Sequence, residues 1–237
     1  MAQPRDGAAR CSTVLLVVAK APEPGHAKTR LSPPATEGQA ADIAAASLLD
    51  TFRAVRSADG AAAAVALTGT MARARRRDEL AAALHAATVL RQRGDGLAAR
   101  LAAAHADAST ALPGRPVLQI GMDTPQLTGD LLARCARPLR RRGGPDAVLG
   151  PACDGGWWAL GVADPQHAEL LRAVPMSRPD TGELTLRALR SAGLRVELLD
   201  ELDDVDTMTD ARRVAAQLAG SRFAEAVSAV AVPSGVR

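Results

Sequence analysis

The chain has 237 residues, a length that fits one domain, and its 29 basic and 26 acidic residues give a formal net charge of +3. So small a positive excess, with two phenylalanines, two tryptophans and no tyrosine, argues against nucleic-acid binding. The three cysteines are widely spaced and form no C-x-x-C pair, which argues against zinc or disulfide scaffolds and favours the reducing cytoplasm. No apolar run approaches the about 18 residues of a membrane span, so no membrane partner is expected.

The N-terminal part of the chain predicts a strand, a long loop and a helix. Residues 1–11 are small and polar and predict a frayed N-terminus. Residues 13–19 form an unbroken apolar run, which is typical of a strand buried on both faces of a parallel sheet. Four prolines make residues 20–36 a loop, and the spacing of Leu48, Phe52 and Val55 predicts a helix over residues 37–57.

Strands and helices then alternate along the chain. Strands are predicted at residues 62–68, 88–90, 116–120, 147–150, 157–161 and 194–199, and helices at 71–87, 97–108, 128–139, 164–173, 182–192 and 207–219. This alternation predicts a three-layer α/β/α fold with a mostly parallel central sheet, whose ligands bind beyond the carboxyl ends of the strands. Residues 12–220 are predicted to form a single domain, and residues 221–237 a loosely attached tail.

The loop after the first strand carries a cluster of cations. Lys20, Lys28 and Arg30 lie within eleven residues, Thr29 adds a hydroxyl, and Gly25 allows the backbone to approach a ligand closely. These groups suit a polyphosphate, although the first glycine of the Walker pattern is missing. An ordinary solvated basic loop is the alternative, but the position directly after a buried strand favours a phosphate site.

Two aspartates follow other predicted strands. Asp123 comes directly after the strand at 116–120 and suits Mg²⁺, which usually takes one or two carboxylates plus substrate phosphates. A turn aspartate that caps the next helix is the alternative. Asp206 follows the last strand and is a candidate for a second carboxylate on the same ion. The alternatives are a helix N-cap at Asp206 or Thr207 and a solvated acidic edge.

Two glycine-containing segments complete the candidates. Residues 154–156, Asp-Gly-Gly, lie between two strands and fit either a hairpin turn or the close approach of a sugar or base. Residues 94–97, Gly-Asp-Gly-Leu, precede a helix and could turn backbone N–H groups towards a nucleobase or phosphate.

Four motifs together resemble those of a known family. They are Val18-Ala-Lys20-Ala-Pro22-x-Pro24-Gly25-x-x-Lys28-Thr-Arg-Leu31, Gly121-x-Asp123-x-Pro125, Leu149-Gly-Pro151-x-x-Asp154-Gly-Gly156 and Asp204-Val-Asp206-Thr207. In this order they resemble a bacterial family with the GT-A-like, Rossmann-like fold of nucleotide-diphospho-sugar transferases, formerly labelled a domain of unknown function. Some of its members are regarded as arsenosugar-type glycosyltransferases. The layout is also similar to 2-phospho-lactate guanylyltransferases and, more distantly, to molybdenum-cofactor guanylyltransferases.

The resemblance implies roles for individual residues. It implies nucleotide binding by Lys20, Pro24, Gly25, Lys28, Thr29, Arg30, Gly94, Asp95 and Leu97, and acceptor binding by Asp154, Gly155, Gly156 and Ser177. It also implies a Mg²⁺ or Mn²⁺ site at Asp123 and Asp206, with Asp123, Lys28 and Arg30 as the catalytic residues. The chain departs from the family where Thr124 replaces the second acid of an Asp-x-Asp motif and Met176 replaces a tryptophan.

Three functions are consistent with these features. The first is a Mg²⁺-dependent nucleotidyltransferase that joins a nucleoside triphosphate to a phosphate, phosphonate or sugar-phosphate acceptor and releases pyrophosphate; three cations in one loop favour it. The second is a glycosyltransferase that uses a nucleoside-diphosphate sugar. The third is a non-catalytic nucleotide-binding protein, which Thr124 and Met176 favour. The expected partners are a nucleotide and a small-molecule acceptor, and a homodimer is one possible assembly.

Overall fold

The computed structural model describes residues 12–231. The predicted frayed N-terminus, residues 1–11, and the last six residues of the predicted tail lie outside this range. The strands are β1 Thr13–Lys20, β2 Ala61–Thr68, β3 Thr88–Arg91, β4 Val117–Gly121, β5 Ala147–Pro151, β6 Trp157–Val162 and β7 Val196–Leu198. The α-helices are α1 Glu37–Ser57, α2 Arg77–Leu84, α3 Gly96–Ala111, α4 Gly129–Ala136, α5 Thr181–Ser191, α6 Met208–Gln217 and α7 Arg222–Ser228.

The seven strands form one sheet in the order β3-β2-β1-β4-β6-β5-β7. β1 lies at its centre and pairs in parallel with β2 and β4, and the pairs β2–β3 and β5–β7 are also parallel. Only β6 runs the other way, antiparallel to both β4 and β5. The predicted mostly parallel sheet is therefore confirmed, and the carboxyl ends of β1, β4 and β7 meet at one edge.

Alternating side chains of the central strands explain the three layers. One face of the sheet, including Leu15 and Leu118, packs against α1 and α4. The other face, including Leu16 and Val117, packs against α3. Near the β5–β7 end, this second face is covered by α5 and by a 3₁₀ helix at Pro165–Ala173. Among residues 12–231, no helix is both long and apolar enough to cross a membrane.

Three predicted helices differ from the structure. The helix predicted at 71–87 is a 3₁₀ turn at Met71–Arg73 followed by α2, because Arg76 lies between them in a left-handed conformation with φ 50°. The helix predicted at 128–139 ends as an α-helix at residue 136, because Pro138 has no N–H to continue it. The segment at 164–173 is a 3₁₀ helix rather than an α-helix.

The prediction of a loose tail from residue 221 is wrong for residues 221–230. Ser221 caps α7 by accepting a hydrogen bond from the Ala224 N–H, and Phe223 is fully buried against α1 and α6. The buried carboxylate of Asp50 in α1 accepts a hydrogen bond from the Phe223 N–H at 3.0 Å. The sequence missed this helix because seven residues with one large apolar side chain give little periodic signal.

Shortening Phe223→Ala is expected to lower the free energy of unfolding by about 3–5 kcal/mol, because it removes a fully buried ring and leaves a cavity. Urea unfolding followed by circular dichroism measures the change. Val89→Ala is the control, since Val89 is 54% exposed and its loss should change stability by less than about 0.5 kcal/mol. A loss near the control value for Phe223→Ala would show that α7 contributes little to the fold.

Candidate functional site

A lysine lies between two carboxylates at the carboxyl edge of the sheet. The Nζ atom of Lys28 is 3.1 Å from Oδ1 of Asp123 and 3.4 Å from Oδ1 of Asp206. It also donates a hydrogen bond to the backbone carbonyl of Val205. The lysine side chain is only 11% exposed, whereas the two carboxylates are 41% and 45% exposed. The positive charge is thus buried under two half-exposed negative ones.

The conformation and charge of Lys28 follow from this position. Its backbone is left-handed, with φ 49° and ψ 41°, a strained conformation that persists only where surrounding contacts hold it. Burial on its own would lower the pKa of Lys28, but the carboxylates of Asp123 and Asp206 outweigh burial and raise the pKa above its ordinary value of 10.5. Lys28 is therefore a permanent cation at neutral pH.

Hydrogen bonds from three parts of the chain hold Met122 and Asp123 in place. The hydroxyl of Ser47 in α1 donates to the Met122 carbonyl at 2.6 Å. The Lys20 N–H at the end of β1 donates to the Met122 sulfur at 3.3 Å. The Val205 N–H donates to the Asp123 carbonyl at 3.1 Å. Asp123 therefore does not cap the next helix; Thr128 does so, by accepting from the Leu131 N–H.

The loop that carries Asp206 is joined to the Asp123 loop by side chains. The buried hydroxyl of Thr124 donates to Oδ1 of Asp204 at 2.9 Å, and the amide of Gln126 donates to the Asp203 carbonyl at 2.6 Å. Thr124, which departs from the Asp-x-Asp pattern, thus connects the two acidic loops. Asp206 is not the N-cap of α6, because Thr207 forms that cap in a capping box with Asp210.

Asp204 is an acid that the sequence did not single out. Burial, mainly, and the nearby carboxylates of Asp123 and Asp154 raise the pKa of Asp204 to about 6, against the opposing effects of the Thr124 hydrogen bond and the Lys28 charge. Its place in the same short motif as Asp206 was the available signal. Asp204 is thus one of four aspartates that line the larger of the two cavities described below, with Asp123, Asp154 and Asp206.

The raised pKa of Asp204 predicts a pH dependence of stability. Between pH 3.8 and about 6 the folded protein holds a proton that the unfolded chain has released, so the free energy of unfolding falls as pH rises through this window. Above about pH 6 the free energy of unfolding has fallen by the full amount that this ionisation costs. Asp204→Asn removes the ionisation, and the variant should be more stable than the parent by about 2 kcal/mol at pH 7 and equal to it near pH 4.

Urea unfolding of both proteins from pH 4 to pH 8 measures this difference. A control variant, Asp164→Asn, changes an aspartate that caps the 3₁₀ helix far from this edge in sequence and should leave the shape of the pH profile unchanged. Parallel profiles for the parent and Asp204→Asn would contradict the prediction.

Two cavities flank the Lys28 cluster and share Arg30, Met122, Asp123 and Asp206. The larger has a volume of about 540 Å³, within the range of small-molecule sites. Its lining includes Val18, Arg30, Leu97, Leu101, Gln119, Asp123, Asp154, Gly156, Trp157, Trp158, Met176, Ser177, Arg178, Asp204 and Asp206. The smaller, about 240 Å³, is lined by Lys20, His26, Ala27, Lys28, Thr29, Arg30, Ala44, Met122, Asp123 and Asp206.

The smaller cavity gathers the cations of the β1 loop. Lys20 and Lys28 both line it, and they are the two lysines of the whole chain, since every other basic residue of the 29 is an arginine. Arg30 is 77% exposed, and its guanidinium lies 3.2 Å from Oδ2 of Asp206. Arginine is the basic residue everywhere else in the chain, so the two compact lysine ammonium groups distinguish the lining of this cavity.

The Asp-Gly-Gly segment forms the turn between β5 and β6. Oδ1 of Asp154 accepts a hydrogen bond from the Gly156 N–H at 2.8 Å. Gly155 has φ +86°, and a Cβ there would lie 1.8 Å from the Pro179 carbonyl oxygen, so only glycine fits. The Gly155 carbonyl accepts from the Gly182 N–H at 2.9 Å. The turn therefore supports the loop that carries Ser177, while Asp154 and Gly156 line the larger cavity.

The cavities do not include every residue that the sequence singled out. Those outside both are Pro24, Gly25, Gly94, Asp95 and Gly155. Gly25 has φ +73° and Gly94 has φ +116°, conformations that favour glycine, and a Cβ at Gly94 would also lie 3.0 Å from Ala99. The backbone conformation therefore accounts for both glycines. Leu97, from the same segment as Gly94, does line the larger cavity.

The carboxylates suit a divalent cation in their chemistry. Asp123 and Asp206 both reach one point, the position of the Lys28 ammonium, and hard oxygen donors are what Mg²⁺ and Mn²⁺ prefer. Across residues 12–231, no group of three acidic, histidine or cysteine side chains is arranged to hold a metal ion unaided. Two carboxylates completed by phosphate oxygens of a ligand are the arrangement that fits.

The fold is similar to that of solved transferases. A Desulfovibrio desulfuricans G20 protein assigned as a nucleotide-diphospho-sugar transferase has a TM-score of 0.79 at 24% identity, with 91% of this chain and 94% of that chain covered. CMP:2-keto-3-deoxy-manno-octonic acid synthetase complexed with CTP has a TM-score of 0.55 at 12% identity, with 88% of this chain and 98% of that chain covered. Glucosyl-3-phosphoglycerate synthase from Mycobacterium tuberculosis, in complex with Mn²⁺, UDP and glucosyl-3-phosphoglycerate, has a TM-score of 0.52 at 14% identity, with 94% of this chain and 87% of that chain covered. The predicted fold class is thus confirmed.

Sequence comparison adds one match. Residues 51–178, more than half of the chain, match the family described as "Uncharacterized protein conserved in bacteria (DUF2064)". The matched region includes Asp123, the turn at 154–156 and Ser177, and it excludes Lys28 and Asp206. No match to a curated protein is found.

Proposed function

The chain belongs to the bacterial DUF2064 family, and from this premise and its fold we propose that it is a divalent-metal-dependent transferase with a nucleotide substrate. More specifically, we propose a nucleotidyltransferase that joins a nucleoside triphosphate to a small phosphate, phosphonate or sugar-phosphate acceptor and releases pyrophosphate. The observation that carries the proposal is the buried Lys28 ammonium between Asp123 and Asp206. It is flanked by the smaller cavity, which Lys20 and Arg30 also line, and by the larger cavity.

The smaller cavity suits the phosphates of the nucleotide. Lys20, Lys28 and Arg30 supply three positive charges on its lining, and Thr29 supplies a hydroxyl donor. Lysine acts on phosphate as a point charge, and arginine as a planar fork that can hold two oxygens. Three cations match a triphosphate better than a diphosphate, which favours nucleotidyl transfer.

The two carboxylates would hold the metal ion. Asp123 and Asp206 would supply oxygen ligands, and the bound ion would offset the negative charge of the phosphates. Lys28 would then exchange its contacts with these carboxylates for contacts with phosphate oxygens. In the position that the structure shows, the two carboxylates raise the pKa of Lys28, so the ammonium is charged there.

The proposed reaction requires positioning more than covalent catalysis. An oxygen of the acceptor forms a bond to the α-phosphorus, the bond from that phosphorus to the bridging oxygen breaks, and pyrophosphate leaves with the electron pair. Lys28 and Arg30 would stabilise the charge that develops on pyrophosphate. No protein nucleophile is required for this displacement.

A glycosyltransferase is the second candidate. Asp154 favours it, because this exposed carboxylate lines the larger cavity and could accept the proton of an acceptor hydroxyl. The products would then include a nucleoside diphosphate instead of pyrophosphate. The non-catalytic alternative loses one of its two supports, because Thr124 has a role in joining the acidic loops.

The experiment that separates these candidates scores the leaving group. The protein is incubated with Mg²⁺, an acceptor panel of phosphates, phosphonates, sugar phosphates and sugars, and either α-labelled nucleoside triphosphates or labelled nucleotide sugars. Acceptor-dependent pyrophosphate release with transfer of the labelled nucleotide is the expected result. Release of nucleoside diphosphate with transfer of the sugar would favour the second candidate. Binding of nucleotide without turnover of any combination would favour the non-catalytic one.

A further inference from the structure

A polar side chain lies in the apolar wall of the larger cavity. Gln119 is on β4, opposite Leu16 of β1 and Leu160 of β6 in the sheet register. It is 2% exposed and lines the cavity, and its Oε1 atom has no hydrogen-bond partner. It lies two residues before the strand ends at Gly121, which places it about 7 Å inward from the carboxyl edge.

The neighbouring strands offer no hydrogen-bond partner to an amide at this position. Its neighbours across both strand pairs are leucines, and the nearby cavity lining from β1 and α3 is also apolar: Val18, Leu97 and Leu101. Burying an amide without a full set of hydrogen bonds costs free energy, whereas a leucine at this position would cost none. Side chains that break the packing rule in this way are expected where a ligand needs them.

Behind the amide lies a second buried polar group. His105 of α3 is fully buried, and neither ring nitrogen has a partner within hydrogen-bond geometry among the described residues. Burial lowers the pKa of His105 to about 4, although the neighbouring Gln119 amide acts in the opposite direction. The imidazole is therefore neutral, and its single N–H is available to orient the amide from behind.

Charge is distributed unequally over the cavity. The charged residues of its lining all belong to loops outside the strands and α-helices: Arg30, Asp123, Asp154, Arg178, Asp204 and Asp206. The wall around Gln119 has no charged side chain from β1, β4 or the first turns of α3, since Arg100 is not among the lining residues. An anion placed against this wall would lose its hydration without a counter-charge.

We propose that Gln119 is an acceptor-specificity residue, which hydrogen-bonds an uncharged hydroxyl or carbonyl oxygen carried on an apolar ring or chain of the acceptor. This proposal rests on the proposed function, and it implies that the acceptor has two chemically different ends. The phosphate or phosphonate end meets the charged loops, and the neutral, largely apolar end reaches the wall of β4. His105 is a positioning residue for the amide.

The test uses the two tryptophans of the chain, both of which line this cavity, so intrinsic fluorescence reports its occupation. The probes share one ring and differ in charge: cyclohexanol, cyclohexanecarboxylate and cyclohexylammonium. In the parent protein, cyclohexanol is expected to change the emission at lower concentrations than either charged probe. Gln119→Leu is expected to raise the dissociation constant for cyclohexanol about fivefold, the value of one neutral hydrogen bond.

Thermal unfolding separates this role from a structural one. Gln119→Leu should leave the melting temperature nearly unchanged, because the gain from replacing an incompletely bonded buried amide by an apolar side chain offsets the loss of the amide that faces the His105 N–H. The control is Gln39→Ala, which removes a glutamine whose amide is bonded to Thr36 and to the Ala229 carbonyl. That variant should melt at a lower temperature and bind cyclohexanol as the parent does.

Three results would overturn the proposal. They are a lower melting temperature with unchanged cyclohexanol binding in Gln119→Leu, a charged probe that binds as well as cyclohexanol, and no emission change with any probe up to its solubility limit. The Mg²⁺-dependent thermal shift given by nucleoside triphosphates is measured on the same proteins and should be equal in the parent and Gln119→Leu. Its absence from the parent would count against the proposed function, while the probe results would still decide the role of Gln119.

Discussion

Replacing Lys28→Met is expected to lower turnover of the nucleotide about 100- to 1,000-fold, the loss typical of removing one group that stabilises transition-state charge. Methionine keeps the length and apolar stem of lysine but cannot carry its charge. The protein should remain folded, because Asp123 and Asp206 are 41% and 45% exposed and water can solvate them once the lysine is gone. Steady-state kinetics and a melting curve measure the two effects.

Two comparisons sharpen the Lys28 prediction. Lys28→Arg should recover only part of the loss, because the larger, planar guanidinium does not fit between two carboxylates as a point charge does. Arg190→Met, at the exposed end of α5, removes one positive charge elsewhere and should leave turnover unchanged. Turnover of Lys28→Met within about threefold of the parent would remove the main support for the proposed phosphate site.

Replacing Asp123→Asn is expected to have a still larger effect, a fall in turnover of about 1,000-fold or more that extra Mg²⁺ does not restore. The amide keeps the shape of the carboxylate but is a poor ligand for a hard cation. The hydrogen bonds that hold this segment use the backbone carbonyls of Met122 and Asp123, so the variant should retain its fold. Titration of Mg²⁺ and of Mn²⁺ at saturating nucleotide measures the loss.

The matched control for this variant is Asp130→Asn, in the exposed first turn of α4. It removes the same charge seven residues away along the chain and should leave metal dependence unchanged. If Asp123→Asn retained the metal response of the parent, the ion would have to be held by other groups, and the assignment of this edge as a metal site would be wrong.

The fold could be predicted because its signals are local. The apolar run of β1 and the helical spacing of Leu48 and Phe52 need no distant partner to be interpreted, and both elements lie where expected. The rule that ligands meet the carboxyl ends of parallel strands then directs attention to Lys28 and Asp123. Their side chains lie 3.1 Å apart in the structure, although 95 residues separate them along the chain.

The remaining features depend on long-range register. Gln119 becomes notable only when its neighbours Leu16 and Leu160 are known, because one polar residue in a short strand is otherwise unremarkable. Asp204 looked like one acid among several until the Thr124 hydrogen bond set it apart. Helix α7 escaped prediction because its stability comes from the pocket around Phe223, which α1 and α6 build from distant parts of the chain.

The confinement of both lysines to the smaller cavity has a practical consequence for handling the protein. Reagents that couple through primary amines, such as activated esters used for biosensor immobilisation or dye labelling, find side-chain targets only at Lys20 and Lys28 within these 237 residues. Exposed Lys20 should react first and buried, doubly ion-paired Lys28 much more slowly. Surfaces prepared in this way would tether many molecules through the mouth of the proposed ligand site, so capture through a terminal tag is the better choice for binding measurements.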